Sequence, residues 1–373
     1  MSEIRFPSLS RRSFLQASTA ASVALAFRVV TEPVLAFAAA PTHPPGSVLI
    51  NANENPLGPC SAARDAVAAI TPQSGRYLTE NADALSKQFA QSVGVTEDQV
   101  SIFAGSTPPL VFTVRAFCSP SVSYVTADPG FEAGLFAADR AKARVVKVPL
   151  TKSYAHDVKA MIAAASDAGV FYVCNPNNPT GTVTSHADIE YLVENKPKNS
   201  IVMVDEAYIH FSDAPTTIDL VKAGKDVVVL RTFSKIYGMA GLRCGFAIAR
   251  PDLLEKIHNY GGYNFMPVTA VAAASASLSD ANLVADRKRT NTQVREATFR
   301  WLDANGFSYI PSQTNFFLLD TKHPGKELIA ALAKQGVVIG RVWPAMPNHA
   351  RVTIGTSQEM AQFENALKKA TNA

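Results

Sequence analysis

Cysteine is scarce in this chain of 373 residues: only Cys60, Cys118, Cys174 and Cys244 are present, and no two of them stand in a C-x-x-C spacing. Cys174 and Cys244 lie inside apolar, strand-like runs. That pattern predicts four separate thiols and excludes a disulfide framework or a thiolate metal centre. The seven histidines are scattered, with no H-E-x-x-H pair, so no metal site is expected. Excess charge is also missing. The formal net charge is +4, of which residues 1–40 supply Arg5, Arg11, Arg12 and Arg28 against Glu3 and Glu32. The remaining body is almost neutral, which argues against nucleic-acid binding. Uninterrupted apolar runs are short. Arg28 and Glu32 break the one near the N-terminus, and a bilayer span needs about 20 apolar residues. No stable membrane span is expected.

What is present is a 47% hydrophobic chain of 373 residues, enough for a large globular enzyme of one or two domains. Residues 1–40 read as a leader. Ser10-Arg11-Arg12-Ser13-Phe14-Leu15-Gln16 matches the twin-arginine export pattern. An apolar run from Ala17 to Phe27 follows, and Ala36-Phe37-Ala38 and Ala38-Ala39-Ala40 are small-x-small cleavage candidates. The expected location is therefore periplasmic or exported, with a cytoplasmic N-terminal arm as the alternative.

The centre of the chain is Arg231-Thr232-Phe233-Ser234-Lys235-Ile236-Tyr237-Gly238-Met239-Ala240-Gly241-Leu242-Arg243-Cys244-Gly245-Phe246. The β-branched run Val227-Val228-Val229-Leu230 leads into it and predicts a buried strand. The glycines oppose a regular helix and permit close backbone approach to a ligand. Thr232, Ser234 and Arg243 are all suited to a phosphate. A lysine buried among such groups loses its proton readily, and its free amine can attack a carbonyl. From the residues alone, a glycine-rich basic surface loop remains an open alternative.

Apolar strand-like runs alternate with helical patterns on either side. Ser123–Ala127, Arg144–Leu150, Val170–Cys174, Ile201–Val204, Val227–Leu230 and Gly245–Ala249 predict strands. Phe131–Arg140, His156–Ala168, His186–Glu194 and Thr217–Ala223 predict helices between them. An α/β fold follows, with a mostly parallel central sheet covered on both faces. Ligands bind such sheets at the carboxyl ends of the strands, where the remaining motifs fall. Ile102-Phe103-Ala104-Gly105-Ser106-Thr107-Pro108-Pro109 is a strand, a turn and a helix start. The N–H groups of Gly105, Ser106 and Thr107 and the helix dipole suit a phosphate seat there, with a plain N-cap as the open alternative from the residues alone. Asp128-Pro129-Gly130-Phe131 is a turn by its chemistry. Asn175-Pro176-Asn177-Asn178-Pro179-Thr180-Gly181 is too elaborate for a plain turn. In Val204-Asp205-Glu206-Ala207-Tyr208, an aspartate ends an apolar strand and needs a cationic partner.

Other elements are more local. Ser61 to Ile70 predicts a short helix capped by Ser61, and Asp83 to Val93 predicts another. Beyond residue 262, Pro267 to Leu278 and Asn282 to Asn305 predict helices. Ser312–Leu318, Val337–Ile339 and Arg351–Gly355 predict strands of a smaller α+β domain. The expected organisation is a leader over 1–40, an N-terminal arm over 41–74 that joins the small domain, a large domain over 75–262 and a small domain over 263–373.

Taken together, the motifs resemble the pyridoxal-phosphate aminotransferases of fold type I, and most closely their histidinol-phosphate aminotransferase-like branch. The resemblance runs in order over nearly all of residues 47–373. It includes R-T-x-S-K…G-L-R-x-G-F at Arg231–Phe246 and N-x-N-E-N-P-x-G-P at Asn51–Pro59. It implies that Lys235 holds pyridoxal phosphate as a Schiff base and that Asp205 pairs with the pyridine nitrogen. Tyr208 and Asn178 would contact the phenolic oxygen, and Phe131 would stack on the ring. Gly105, Ser106, Thr107, Thr232, Ser234 and Arg243 would hold the phosphate. Tyr77, in Gly75-Arg76-Tyr77, would reach the neighbouring site of a homodimer. Arg351 would bind the substrate's terminal anion, with Arg341 as a second arginine and Asn53 beside the substrate. The implied reaction moves an amino group between an amino acid, or a histidinol-phosphate-like amine, and a 2-oxo acid. A decarboxylase or lyase on the same scaffold would use the same residues; so, for binding alone, would an exported ligand-binding protein without catalysis. Conversion of 2-oxoglutarate to glutamate separates the first from the others.

Overall fold

The computed structural model describes residues 44–261 and 265–371. The leader expected over 1–40 lies outside them. The central layer is a sheet of seven strands in the order β2-β8-β7-β6-β5-β3-β4. These are β2 (Val100–Phe103), β3 (Ser123–Asp128), β4 (Val145–Pro149), β5 (Ala168–Cys174), β6 (Ile201–Asp205), β7 (Val227–Thr232) and β8 (Gly245–Ile248). Pairings from β4 across to β7 are parallel, while β8 runs against both β7 and β2. Six of the seven strands therefore share one direction, and their carboxyl ends lie along one edge.

The strands are apolar throughout because both faces are covered. Side chains alternate along a strand, and β6 shows the result. Val202 and Val204 enter one core with Phe171, Val173, Val227 and Val229. Ile201 and Met203 enter the opposite core with Tyr124, Tyr172, Val228 and Leu230. The second core is closed by helices α3 (Thr107–Phe117), α4 (Ala133–Arg140) and α8 (Pro251–His258). The first is closed largely by α1 (Ser61–Ile70), α2 (Thr79–Val93) and α9 (Val268–Ser279).

A smaller antiparallel sheet has the order β12-β10-β9, from β9 (Ser308–Ile310), β10 (Phe316–Asp320) and β12 (His349–Thr353). Beside it, β1 (Val48–Ile50) pairs in parallel with β11 (Val337–Ile339). The N-terminal arm thus shares the core formed by Phe317, Leu319, Val352 and the helices α10 (Leu283–Ala304) and α12 (Ser357–Thr371). Helix α9, placed after the expected boundary at residue 262, packs into the core of the large sheet through Ala270, Val271, Ala273 and Ala274. An alanine-rich face permits that close approach.

Several local expectations change. Helix α1 has Cys60 at its N-cap, in extended backbone, and no side chain caps it; Ser61 is already helical. Helix α2 begins at Thr79, not Asp83, after Leu78 in left-handed backbone. Its polar, exposed first turn carries no apolar periodicity to reveal it. The helix expected over 156–168 is shorter, Val158–Ala164, because the Asp157 side chain accepts from Ala160 N at 3.0 Å and so starts it. His156 is left outside, buried against Thr184. The strand expected from Ser312 starts at Phe316, because Ser312 and Thr314 side chains bond the intervening backbone in turns.

Two features hold the strand ends in place. Glu206, directly after β6, receives Arg231 Nε of β7 at 2.7 Å and Thr217 N and Oγ1 at 2.6 and 2.8 Å. Both partners of this ion pair are buried, so each would be costly alone. Burial, and then the Arg231 charge, lowers the His210 pKa to about 3, so its neutral ring sits against that guanidinium at 3.0 Å. Among the described residues, no single helix is long and apolar enough to cross a membrane.

Candidate active site

The edge formed by the carboxyl ends of β3, β5, β6 and β7 collects most of the candidate residues. Asp205 ends β6 at 3% exposure. Its Oδ2 accepts from Tyr172 Oη at 3.0 Å and its Oδ1 from Ala207 N at 3.1 Å. Tyr172 is a residue that the sequence reading missed; it sits mid-strand in β5 and nothing in its local sequence marks it. Burial above all, with the Asp205 charge next, pushes the Tyr172 phenol well above its ordinary pKa, so it remains a donor. Burial likewise raises Asp205 from 3.8 to about 6, against the opposing pull of Tyr172, Ala207 N–H and Lys235. A carboxylate held this way has room in its hydrogen-bonding capacity for a cation.

Beyond β7 the chain turns twice within a few residues. Thr232 Oγ1 donates to Ser234 Oγ at 2.9 Å and accepts from Ser234 N at 3.1 Å. Arg243 Nη1 donates to Ser234 Oγ at 3.2 Å and to Ala240 O at 2.8 Å, and Nη2 donates to Ala104 O at 3.3 Å. The guanidinium therefore bridges the lysine loop and the turn after β2. Gly105 makes this possible: its φ is +92°, and a Cβ there would lie 2.2 Å from Arg243 Nη2. Ser106 caps α3 without a side-chain bond, and the N–H groups and dipole of such a helix start suit an anion. Thr232, Ser234, Arg243, Gly105, Ser106 and Thr107 thus meet at one place. Lys235 follows directly, partly buried, with Nζ 3.4 Å from Ala52 O and 5.5 Å from the centre of the Tyr208 ring.

The N-terminal arm and the small sheet close over this edge. Asn53 is fully buried, with φ +54°. Its Nδ2 donates to Tyr208 Oη at 3.1 Å, and Thr353 Oγ1 donates to its Oδ1 at 3.1 Å. Asn315, also missed, holds the arm by donating to Asn53 O at 3.1 Å; a buried amide just ahead of an apolar run is the one signal that could have found it. Arg351, at 1% exposure, donates from Nη1 to Asn178 Oδ1 at 2.9 Å and from Nη2 to Asn51 O at 2.9 Å. The loop carrying Asn178 is docked by Gly181, where a Cβ would lie 2.0 Å from Ser312 Oγ.

Three candidates stand differently. Phe131 is half-buried on the second core of the large sheet, lining a cavity of about 50 Å³ shared with Trp343. Arg341 forms an ion pair with Glu132, a residue with no role in the sequence reading. Tyr77 does not join the other site residues of its own chain. It is 73% exposed and packs on Phe265, itself 55% exposed, with ring centres 4.7 Å apart.

The combination is specific. A lysine on a glycine-rich loop, an anion seat beside it, a buried carboxylate on the adjacent strand and a buried arginine above fit pyridoxal phosphate and an anionic substrate. The class is that of the pyridoxal-phosphate-dependent aminotransferases of fold type I. Residues 46–367 match the aminotransferase class I and II family, and the chain belongs to that family. Its relatives include a histidinol-phosphate aminotransferase of Symbiobacterium thermophilum, 37% identical over 87% of this chain and 90% of that protein. Histidinol-phosphate aminotransferase 2 of Pseudomonas fluorescens strain Pf-5 is 35% identical over 86% and 88%. The solved structure of histidinol-phosphate aminotransferase from Sinorhizobium meliloti, in complex with pyridoxal-5'-phosphate, shares the fold with a TM-score of 0.82. It is 24% identical over 94% of this chain and 96% of that one. The protein is a pyridoxal-phosphate-dependent aminotransferase, similar to histidinol-phosphate aminotransferases.

Asp205 yields a pH prediction for the cofactor-free protein. Its folded pKa, about 6, lies above the ordinary 3.8, so the folded state holds its proton more tightly than the unfolded chain. The stability this confers is complete below about pH 4 and is lost as pH rises through 6. Asp205→Asn removes that dependence. In urea unfolding, wild type should lose on the order of 3 kcal/mol relative to the variant between pH 4 and pH 7. A difference independent of pH would mean that Asp205 titrates normally.

Proposed function

We propose that this aminotransferase works on amino acids and 2-oxo acids with Lys235 as the residue that carries the cofactor covalently. The observation that carries the reading is the placement of Lys235 and Asp205 at the ends of adjacent parallel strands, with Arg351 buried on Asn178 beside them. Bound pyridoxal phosphate supplies an electron sink conjugated to the substrate's α-carbon. Asp205 would keep a proton on its ring nitrogen by charge pairing. Thr232, Ser234, Arg243 and the N–H groups of Gly105, Ser106 and Thr107 bind the phosphate. Asn178 and Tyr208, the latter held by Asn53, would hydrogen-bond its phenolic oxygen, and Phe131 would supply an aromatic face for its ring. The Lys235 amine would serve as the base that takes up and gives back the α-proton of the substrate. Arg351 orients the substrate carboxylate through two parallel N–H···O bonds.

The dimer belongs to the same reading. The exposed Tyr77–Phe265 pair fits a surface that a second copy covers, with Tyr77 reaching that copy's phosphate. Export rests on the twin-arginine pattern of residues 10–16 and favours an ordinary amino acid over an intermediate of cytoplasmic histidine synthesis as donor.

Three outcomes test these assignments. Lys235→Ala should abolish turnover and covalent cofactor attachment; borohydride reduction and peptide mapping of wild type should place the label on Lys235, and label on another lysine refutes it. Arg351→Lys keeps the charge and loses the fork, so kcat/KM for amino donors should fall roughly 10²-fold, mainly through KM. A loss of only a few-fold would place the carboxylate elsewhere. Replacing Arg11 and Arg12 by lysine should hold the protein in the cytoplasm on fractionation, and an unchanged distribution would reduce the leader to an arm.

A further inference from the structure

Arg287 lies on α10 and is buried at 7% exposure. It has no part in the motifs of the sequence reading. It forms no ion pair among the described residues. Its terminal nitrogens donate instead to backbone carbonyls, Nη1 to Ile236 O at 2.8 Å and Nη2 to Gly58 O at 2.6 Å. Burial pushes its pKa below the ordinary value. A buried cation with neutral acceptors is costly, and for stability alone apolar packing is often no worse. Both carbonyls adjoin the site. Ile236 directly follows Lys235, and its carbonyl also accepts from Asn55 Nδ2 at 3.0 Å. Gly58 belongs to the N-terminal arm, whose Ala52 O lies 3.4 Å from Lys235 Nζ. Arm and loop meet tightly here. Gly238 has φ +66°, and a Cβ on it would lie 2.2 Å from Gly58 O and 2.9 Å from Arg287 Nη1. Lys235 thus stands between two clamps. On one side Ser234 is tied to Thr232 and Arg243. On the other, Ile236 O is tied to Asn55 and Arg287.

We infer that Arg287 is a positioning residue for Lys235. Its fork fixes the spacing of the Ile236 and Gly58 carbonyls and so sets the lysine loop against the arm. The inference rests on the reading of Lys235 as the residue that carries the cofactor, and deepens it. The two Arg287 hydrogen bonds go to neither Lys235 nor a phosphate-binding group. Arg287 therefore acts on where the amine stands, through the carbonyl of the next residue, and not on how the phosphate is held. Covalent capture depends on that placement. In it, the Lys235 amine adds to the aldehyde carbon of pyridoxal phosphate, a C=N bond replaces C=O and one water leaves. Asn55 supports the same carbonyl with an uncharged, and so weaker, donor.

The test separates capture from phosphate binding in cofactor-free wild type, Arg287→Leu, Arg287→Lys and Asn55→Ala. Capture is read as the rate at which the imine absorbance appears after pyridoxal phosphate is added. Phosphate binding is read by calorimetry with pyridoxine 5'-phosphate, which has an alcohol in place of the aldehyde. Arg287→Leu should slow capture about tenfold or more and leave pyridoxine phosphate affinity unchanged. Arg287→Lys keeps the charge but loses the fork, and should be slowed nearly as much. Asn55→Ala should be slowed less. In the loaded enzymes, kcat should fall with little change in KM. Where Arg287→Leu fails to fold, Arg287→Lys decides by the same two measurements. Capture at the wild-type rate in either Arg287 variant overturns the inference. So does an equal loss of capture and of pyridoxine phosphate affinity, which would make Arg287 a general support of the fold. A wild type that captures no pyridoxal phosphate refutes Lys235 as the carrier, and the inference falls with it.

Discussion

A guanidinium taken almost wholly out of water survives only where acceptors are waiting for it. Arg351 is in that position, and its acceptors come from distant parts of the chain: the Asn178 side chain after β5 and the Asn51 carbonyl of the arm. Thr353, two residues on, exchanges hydrogen bonds with Asn53, and Asn53 reaches Tyr208. Arm, small sheet and large sheet are thereby drawn onto one edge. Without these buried polar links each sheet would keep its own core, but Lys235 and Arg351 would have no fixed relation.

The large sheet contributes a different kind of order. Parallel strands deliver their carboxyl ends to one side, so residues far apart in sequence arrive together without individual arrangement. Glu206 and Arg231 then lock β6 to β7 at the point where Asp205 and Lys235 leave the sheet. The cost of burying Asp205 as an anion is what makes the site receptive to a cation. A pyridinium nitrogen would meet that need, and the cofactor and the carboxylate would then stabilise each other.

What the sequence determined by itself was whatever is encoded within a few residues. The alternation of apolar strands with helical patterns specified a mostly parallel sheet, because strands buried on both faces cannot afford polar residues. The loop Arg231–Phe246, the turn at Gly105–Thr107, the Asn175–Gly181 segment and Asp205 stood out because glycines, prolines and polar residues are concentrated at the ends of apolar strands. Short-range exceptions failed for short-range reasons: Ser61 was already helical, and the polar first turn of α2 hid its start. Only the tertiary structure decided who partners whom. Tyr172 as donor to Asp205, Asn315 as anchor of the arm and Glu132 as partner of Arg341 are contacts between residues 33, 262 and 209 positions apart. Such pairings arise from strand order and from the docking of the two sheets, and no local pattern of residues carries that information.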